Sequence, residues 1–172
     1  MEIRPELRQE EATVAEIVAA AFGQADEAEL VAALRTSDAY LPDLSLVALR
    51  EGQVVGHVML TIAALVPDEG DGDVDVLALA PLSVRPDVQG RGIGHALVDA
   101  ALRRAARRPE PFVIVLGSDA YYPRFGFVPA ASIGVRCPFP DVDPAHYLVR
   151  RLPNVRAAVP GVIRYPAAFG PT

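Results

Sequence analysis

Residues 84–94 constrain this chain most: Val84, Arg85, Pro86, Asp87, Val88, Gln89, Gly90, Arg91, Gly92, Ile93, Gly94. An apolar run, 76–84, leads into them, and an Ala/Leu-rich run, 93–106, leads out. The glycines therefore mark a strand-to-helix turn. There the first-turn N–H groups of a helix have no intrahelical partner. Glycine at 90, 92 and 94 lets a ligand approach that backbone with no Cβ in the way. Free N–H groups at the positive end of a helix dipole make an anion site, with phosphate the expected guest.

The chain has 172 residues, enough for one compact domain over 1–172 and short of two. Half its residues, 51%, are apolar, so a globular core is within reach. The formal charge of −6 argues against nucleic acid as a partner, because such a surface should be basic. The single cysteine, Cys137, excludes an internal disulfide and reads as a small packed side chain. The start, Met1-Glu2-Ile3-Arg4, has neither a basic lead nor an apolar signal core. No apolar run reaches roughly 18 residues, so no membrane span is expected and the protein should be cytoplasmic.

Along the chain, residues 2–5 read as a first strand. Residues 10–22 carry apolar Val14, Ile17, Val18 and Ala21 at helical spacing, and Gly23 should end that helix. Residues 26–34 read as a second helix, with Asp26 as N-cap and Glu29 completing a capping pair. Strands at 44–49 and 54–62 flank Glu51-Gly52, a tight-turn pair, and so form an antiparallel hairpin. Residues 67–73 are an acidic loop, followed by a strand at 74–84. Pro81 cannot donate a ladder hydrogen bond, so a bulge or an unpaired edge is expected there. The longest helix should span 93–107, facing inward through Ile93, Leu97, Ala100, Ala101 and Ala105. A short strand at 112–116 then makes a parallel β-α-β crossover. Residues 119–125 read as one or two helical turns. Nine of the sixteen prolines lie from Pro123 onward, so long loops follow about residue 129, with late strands near 147–152 and 161–164. The fold class is α/β: a mixed central sheet with antiparallel N-terminal hairpins and one parallel crossover.

Three readings of the glycine turn compete. It can be a plain connector. It can bind a dinucleotide, which calls for G-x-G-x-x-G and an acid about twenty positions on. Here the spacing is G-x-G-x-G, and the chain reaches Phe112 and Val113 in place of an acid. The third reading is a resemblance. Gln89, Gly92 and Gly94 match the Q/R-x-x-G-x-G/A signature of the GNAT N-acetyltransferase superfamily, and Leu82-Ser83-Val84-Arg85-Pro86 is similar to the strand end before it. A second stretch, Tyr121-Tyr122-Pro123-Arg124-Phe125-Gly126-Phe127, taken alone is an aromatic turn. Tyr122, Gly126 and Phe127 resemble the family's Y-x-x-x-G-F pattern. Within the superfamily, 120–129 and the ending 161–169 look most like the YhbS-type acetyltransferases.

The resemblance implies a single-domain GNAT fold and acetyl-CoA as co-substrate. It implies cofactor contacts at Leu82, Ser83, Val84, Gln89, Gly90, Arg91, Gly92, Ile93, Gly94 and His95. It implies transfer of the acetyl group to a primary amine of a small molecule or protein, by a monomer or homodimer. Tyr122 is placed by resemblance as the acid that protonates the leaving thiolate; a phenol of pKa about 10 suits that task. Tyr121 is the fallback. The family often has a Glu inside the strand before the glycine loop, but apolar residues around Ala78 stand there, and Asp75 comes too early. His57 is the other candidate base, or a structural histidine. The family's asparagine after the next strand is replaced by Gly117-Ser118-Asp119. The unassigned base leaves a second reading open: an acyl-CoA-binding sensor or scaffold on the same fold. His57, His95, His146 and Cys137 share no ligand spacing, so no metal is expected. The acidic segment Asp68, Glu69, Asp71, Asp73 and Asp75 can act as a negative entrance for a cationic amine or as a merely solvated loop.

Overall fold

The structure, a computed structural model, describes residues 1–153 and 160–171. They fall into two compact units, Met1–Thr61 with Ala80–Arg104, and Ile62–Leu79 with Ala105–Thr172 as far as those residues are described.

In the first unit, β1 (Glu2–Pro5), β2 (Ser45–Arg50) and the opening part of β3 (Gln53–Pro67) pair antiparallel, with Ile3 opposite Ala48 and Val47 opposite His57. Glu51 at φ 51° and Gly52 at φ 76° supply the two positive φ values that a type I′ hairpin needs. α1 (Glu11–Phe22) and α2 (Asp26–Arg35) cover one face of these strands. Val14, Ile17 and Val18 of α1 pack with Val47, Leu49 and Val54. Gly23 ends α1 in the left-handed region, its N–H bonded to the Ala19 carbonyl at 2.8 Å. The expected capping pair of Asp26 and Glu29 does not form. Ala25 is the N-cap, and its carbonyl accepts from the Glu29 N–H at 3.0 Å. Asp26 is therefore already inside the first turn, where its charge faces the positive helix end.

The end of β4 (Val74–Val84) also belongs to this unit and leads through a turn into α3 (Ile93–Ala105). α3 buries Ile93, Leu97, Val98 and Ala101. It stops two residues short of the expected 107, where the Arg108 N–H turns back to the Ala105 carbonyl at 3.0 Å. β3 meets α3 at Gly56. A Cβ on Gly56 would stand 3.0 Å from Leu97 Cδ1 and 3.2 Å from Ile93 Cγ2, so the helix lies as close as a bare backbone allows.

In the second unit, β3 continues to Pro67, five residues past the expected end at Ile62. Its extension pairs antiparallel with β9 (Gly161–Arg164), from Ala64 opposite Arg164 to Pro67 opposite Gly161. β4 pairs parallel with β5 (Phe112–Leu116) at Leu77–Val113 and Ala78–Ile114. This is the expected crossover. The ladder ends at Ala78, and Pro81 lies beyond it, after a cis Ala80–Pro81 bond. β5 pairs antiparallel with β8 (Tyr147–Arg151), and β8 in turn with β6 (Val128–Pro129). β7 (Val135–Arg136) runs parallel to β9, so a second parallel pair stands beside the single one expected. Residues 119–125 form a turn and then one 3₁₀ turn, Tyr122–Phe125. Leu65, Val76, Phe112, Ile114, Val149 and Ile163 are among the core of this unit. Among the described residues no helix is long and apolar enough to cross a membrane.

The contact at Gly56 gives a direct test of the first unit's packing. Gly56→Val must push Leu97 and Ile93 away from the strand, and overpacking of this kind costs about 1–3 kcal/mol. A urea melt should show the loss as a lower midpoint with the slope unchanged.

Candidate active site

At the end of β4, Leu82 and Val84 are partly exposed and Ser83 between them is buried, as alternation along a strand demands. The Ser83 hydroxyl has no partner. The Arg85 N–H bonds to the Val55 carbonyl at 2.9 Å, which ties the strand's exit to β3. Pro86–Val88 make one 3₁₀ turn, anchored by the buried Val88. Gln89 then donates its side-chain amide to the Val84 carbonyl at 3.0 Å. In this structure the Gln89 side chain closes the turn; what faces outward is the backbone after it.

Gly90 and Gly92 hold φ values of 73° and 80°, both are exposed, and a Cβ built on either meets nothing within 4 Å. Ile93 is buried and starts α3, with Gly94 and the exposed His95 in its first turn. The Ala96 N–H bonds to the carbonyl of Gly92, one turn back, at 3.0 Å. The preceding N–H groups, of Gly92, Ile93 and Gly94, are those a helix leaves for an anion. Arg91 is exposed beside them. Unhindered glycines, the N–H groups of a first helical turn and a guanidinium fit a diphosphate.

Tyr122 lies in the second unit, at the head of the 3₁₀ turn that Gly126 closes at φ 83°. Ser118 builds the approach. Its Oγ accepts from the N–H groups of Ala120 and Tyr121 at 3.2 Å each, and its carbonyl from those of Tyr121 and Tyr122 at 3.1 Å each. The Tyr122 ring stands edge-on to Tyr121 at 5.2 Å and to Phe127 at 5.5 Å. It also lies over Gly117, where a Cβ would be 2.4 Å from Tyr122 Cε2. Gly117 and Ser118 are thus the seat of Tyr122, a role that a comparison with the family's asparagine does not reveal. The Ser, three residues ahead of a tight turn, was the available signal. Burial pushes the Tyr122 phenol well above its ordinary pKa, and Tyr121 adds to the rise, so the ring keeps its proton. Tyr121 is half-buried, with the Arg124 guanidinium 4.6 Å over its ring.

The candidate bases fare differently. Ala78 is sealed in the β4–β5 ladder and carries no carboxylate. Asp75 is exposed. His57 is fully buried in the first unit. Its Nε2 is 3.0 Å from Ser45 Oγ and 3.8 Å from Glu6 Oε2, and its Nδ1 has no partner. Ser45 Oγ donates to Glu6 at 2.7 Å, and the Arg35 guanidinium closes on the same carboxylate. Burial first, and then Arg35, push the imidazole down to about 3, so it is neutral. His57 is a structural histidine in a polar knot. The acidic loop is also partly spent: Asp68 holds Arg136 in a two-pronged pair at 2.6 and 2.7 Å, and Asp73 pairs with Arg164. Cys137 is half-buried, and burial raises its thiol pKa, which suits packing. Among the described residues no group of His, Cys, Asp and Glu can hold a metal.

Residues 2–130 match the family model of the acetyltransferase (GNAT) domain. The chain is 39% identical over 129 residues to the uncharacterized N-acetyltransferase YjhQ of Escherichia coli K12, covering 74% of this chain and 70% of that protein. It is 35% identical over 145 residues to the uncharacterized N-acetyltransferase YhbS of the same strain, with 83% of each covered. The crystal structure of Escherichia coli YhbS in complex with CoA superposes with a TM-score of 0.87 at 30% identity, over 99% of this chain and 92% of that one. A GNAT family acetyltransferase from Brucella melitensis in complex with acetyl-CoA gives 0.76 at 31% identity, over 98% and 97%.

The knot around His57 sets a pH dependence. An imidazole lowered from 6.5 to about 3 on folding takes up its proton more readily in the unfolded chain. Stability is therefore whole above about pH 6.5 and falls by about 1.4 kcal/mol per unit as pH drops from there toward 3. Urea melts across that window should show the slope, and His57→Gln should remove most of it.

Proposed function

The chain belongs to the GNAT acetyltransferase family, and from that premise we propose that it moves an acetyl group from acetyl-CoA directly to a primary amine of a small molecule or protein. The observation that carries this reading is the turn after β4, with two exposed left-handed glycines in front of the first turn of α3. That neighbouring structures contain CoA and acetyl-CoA supports it.

In this reading, the N–H groups from Gly92 onward hold the diphosphate, and Arg91 adds a charge-assisted bond. His95 completes the first turn of that cradle. The backbone of Leu82 and Val84 pairs with the amides of the pantetheine arm, as an added strand pairs with a sheet edge. The Val84 carbonyl has a second lone pair for this, since Gln89 uses only one. A backbone N–H at the strand end can polarise the thioester carbonyl and hold the oxyanion that develops there. Tyr122 gives its proton to the departing thiolate. A thiolate in the same dry surroundings is harder to keep charged, so burial raises its proton affinity along with that of the phenol. No protein carboxylate takes the amine's proton at Ala78, and His57 is sealed, so the amine reaches the acetyl group neutral or loses its proton to water.

That missing base is also what favours the second reading, an acyl-CoA sensor with little catalysis. A thiol-release assay with acetyl-CoA and a panel of amines separates the two. Transfer requires release that depends on the amine; a sensor binds acetyl-CoA and releases nothing. Once an acceptor is found, Tyr122→Phe should keep acetyl-CoA affinity and lower kcat by on the order of 10²-fold. Gly117→Ala should move the same ring and lower kcat in the same direction without touching the glycine turn. Normal turnover in Tyr122→Phe would make the ring a packing element only. Gly92→Val should abolish acetyl-CoA binding in calorimetry while the melt shows a folded protein.

A further inference from the structure

Arg150 belongs to β8, yet its side chain is tied to the turn that carries Tyr122. Its Nη1 donates to the carbonyl of Phe125, the last residue of that turn. We propose that Arg150 is a positioning residue for proton donation: it holds the far end of the turn, so that the Tyr122 hydroxyl stays where the thiolate leaves. The inference rests on the acetyl-transfer reading above and gives a role to a residue that lies in neither sequence motif.

The sheet order explains why β8 supplies this hold. The chain leaves β5 for the turn and returns in β6, and β8 lies between those two strands, paired with both. Arg150 stands opposite Val113 of β5. Residues two apart in a strand share a face, so Arg150 is on the side of the sheet that carries Val113, Val115 and Gly117. The Gly117 N–H extends the β5–β8 ladder to the His146 carbonyl at 2.9 Å, and the Tyr122 ring lies over Gly117. Arg150 and Tyr122 thus occupy one side of the sheet. The guanidinium runs past Gly126, where a Cβ would stand 3.9 Å from Nη1 and 4.0 Å from Cζ. Gly126 itself closes the turn at φ 83°, its N–H on the Pro123 carbonyl at 2.9 Å.

The turn is therefore fastened at both ends. Ser118 and Gly117 seat its head, and Arg150 takes its tail, with only Pro123 and Arg124 between Tyr122 and Phe125. Any freedom at Phe125 reaches Tyr122 within one turn. Arg150 is half-buried, and among the described residues no carboxylate pairs with it. Arg85, Arg108, Arg136 and Arg164 each close on an acid, whereas Arg150 spends its charge on a backbone carbonyl. A bond from an ionised donor is roughly twice as strong as one between neutral groups. The precision matters for chemistry: a proton donor displaced by about 1 Å can cost on the order of 10²-fold in rate.

The test is a double-mutant cycle with Tyr122→Phe, read as thiol release from acetyl-CoA with an amine that the panel above identifies. Arg150→Met removes the donors and keeps an apolar stem. A thermal melt checks that it folds, and Arg150→Gln takes its place in the cycle if it does not. Arg150→Met should lower kcat about tenfold and leave the KM for acetyl-CoA unchanged. Arg150→Lys keeps a charged donor and should recover most of that loss. In the Tyr122→Phe background the same Arg150→Met change should leave kcat nearly as it is, because the proton donor is already gone. A further tenfold loss there would show that Arg150 acts apart from Tyr122 and would overturn the proposal. Wild-type kcat in Arg150→Met would overturn it as well, and both results leave the acetyl-transfer reading intact. If no amine gave release with the wild type, or if Tyr122→Phe turned over normally, the reading beneath would fall first, and the role of Arg150 with it.

Discussion

A chain leaving a buried strand for a helix must turn with its last ladder groups and first helical N–H groups both unsatisfied. Here the strand side of that turn is closed from within. The Arg85 N–H goes to Val55, the Val88 N–H to Arg85, and the Gln89 amide to the Val84 carbonyl. The helix side is left open, because Gly90 and Gly92 adopt φ values that put no side chain in front of it. The same turn fixes where α3 begins, and so which of its residues, Ile93 and Leu97, meet β3 at Gly56. The open helix end and the helix packing are two results of one turn.

Burial keeps two side chains neutral in opposite ways. It raises the pKa of Tyr122 and lowers that of His57, since in each case the charged form loses its hydration. At Tyr122 burial thus favours the protonated phenol. For a proton acceptor burial is no help, because His57 reaches only Ser45 and Glu6. The polar knot of Glu6, Arg35, Ser45 and His57 instead ties the exit of β1 and the end of α2 to β2 and β3. Loss of one partner there would strand a buried charge, which costs more than the pair contributes.

Much of this was legible in the sequence where the signal was local. The strands at 2–5, 74–84, 112–116 and 161–164, the Glu51-Gly52 turn and the inward face of α3 follow from periodicity and turn chemistry alone. What was not legible depends on distant partners. β3 runs on to Pro67 because β9, about a hundred residues later in the chain, comes to pair with it. The Val84 carbonyl that takes the Gln89 amide is one such partner, since a motif position says nothing of the carbonyl its side chain can reach. The ion pairs of Asp68 with Arg136 and of Asp73 with Arg164 were not legible because these arginines lie far along the chain from the acidic loop.

Every basic side chain other than histidine is an arginine: there are sixteen, and no lysine. Planar guanidinium forks suit the two-pronged pairs seen with Glu10, Asp68, Asp87 and Glu110. They also suit phosphate. For a chain that handles an activated acetyl group the choice has a further effect. A guanidinium stays protonated at any physiological pH and does not attack a thioester, whereas a lysine amine can once it loses its proton. These 172 residues therefore carry no lysine amine that could be acetylated. No lysine side chain among them competes with an incoming acceptor, even with acetyl-CoA held beside it.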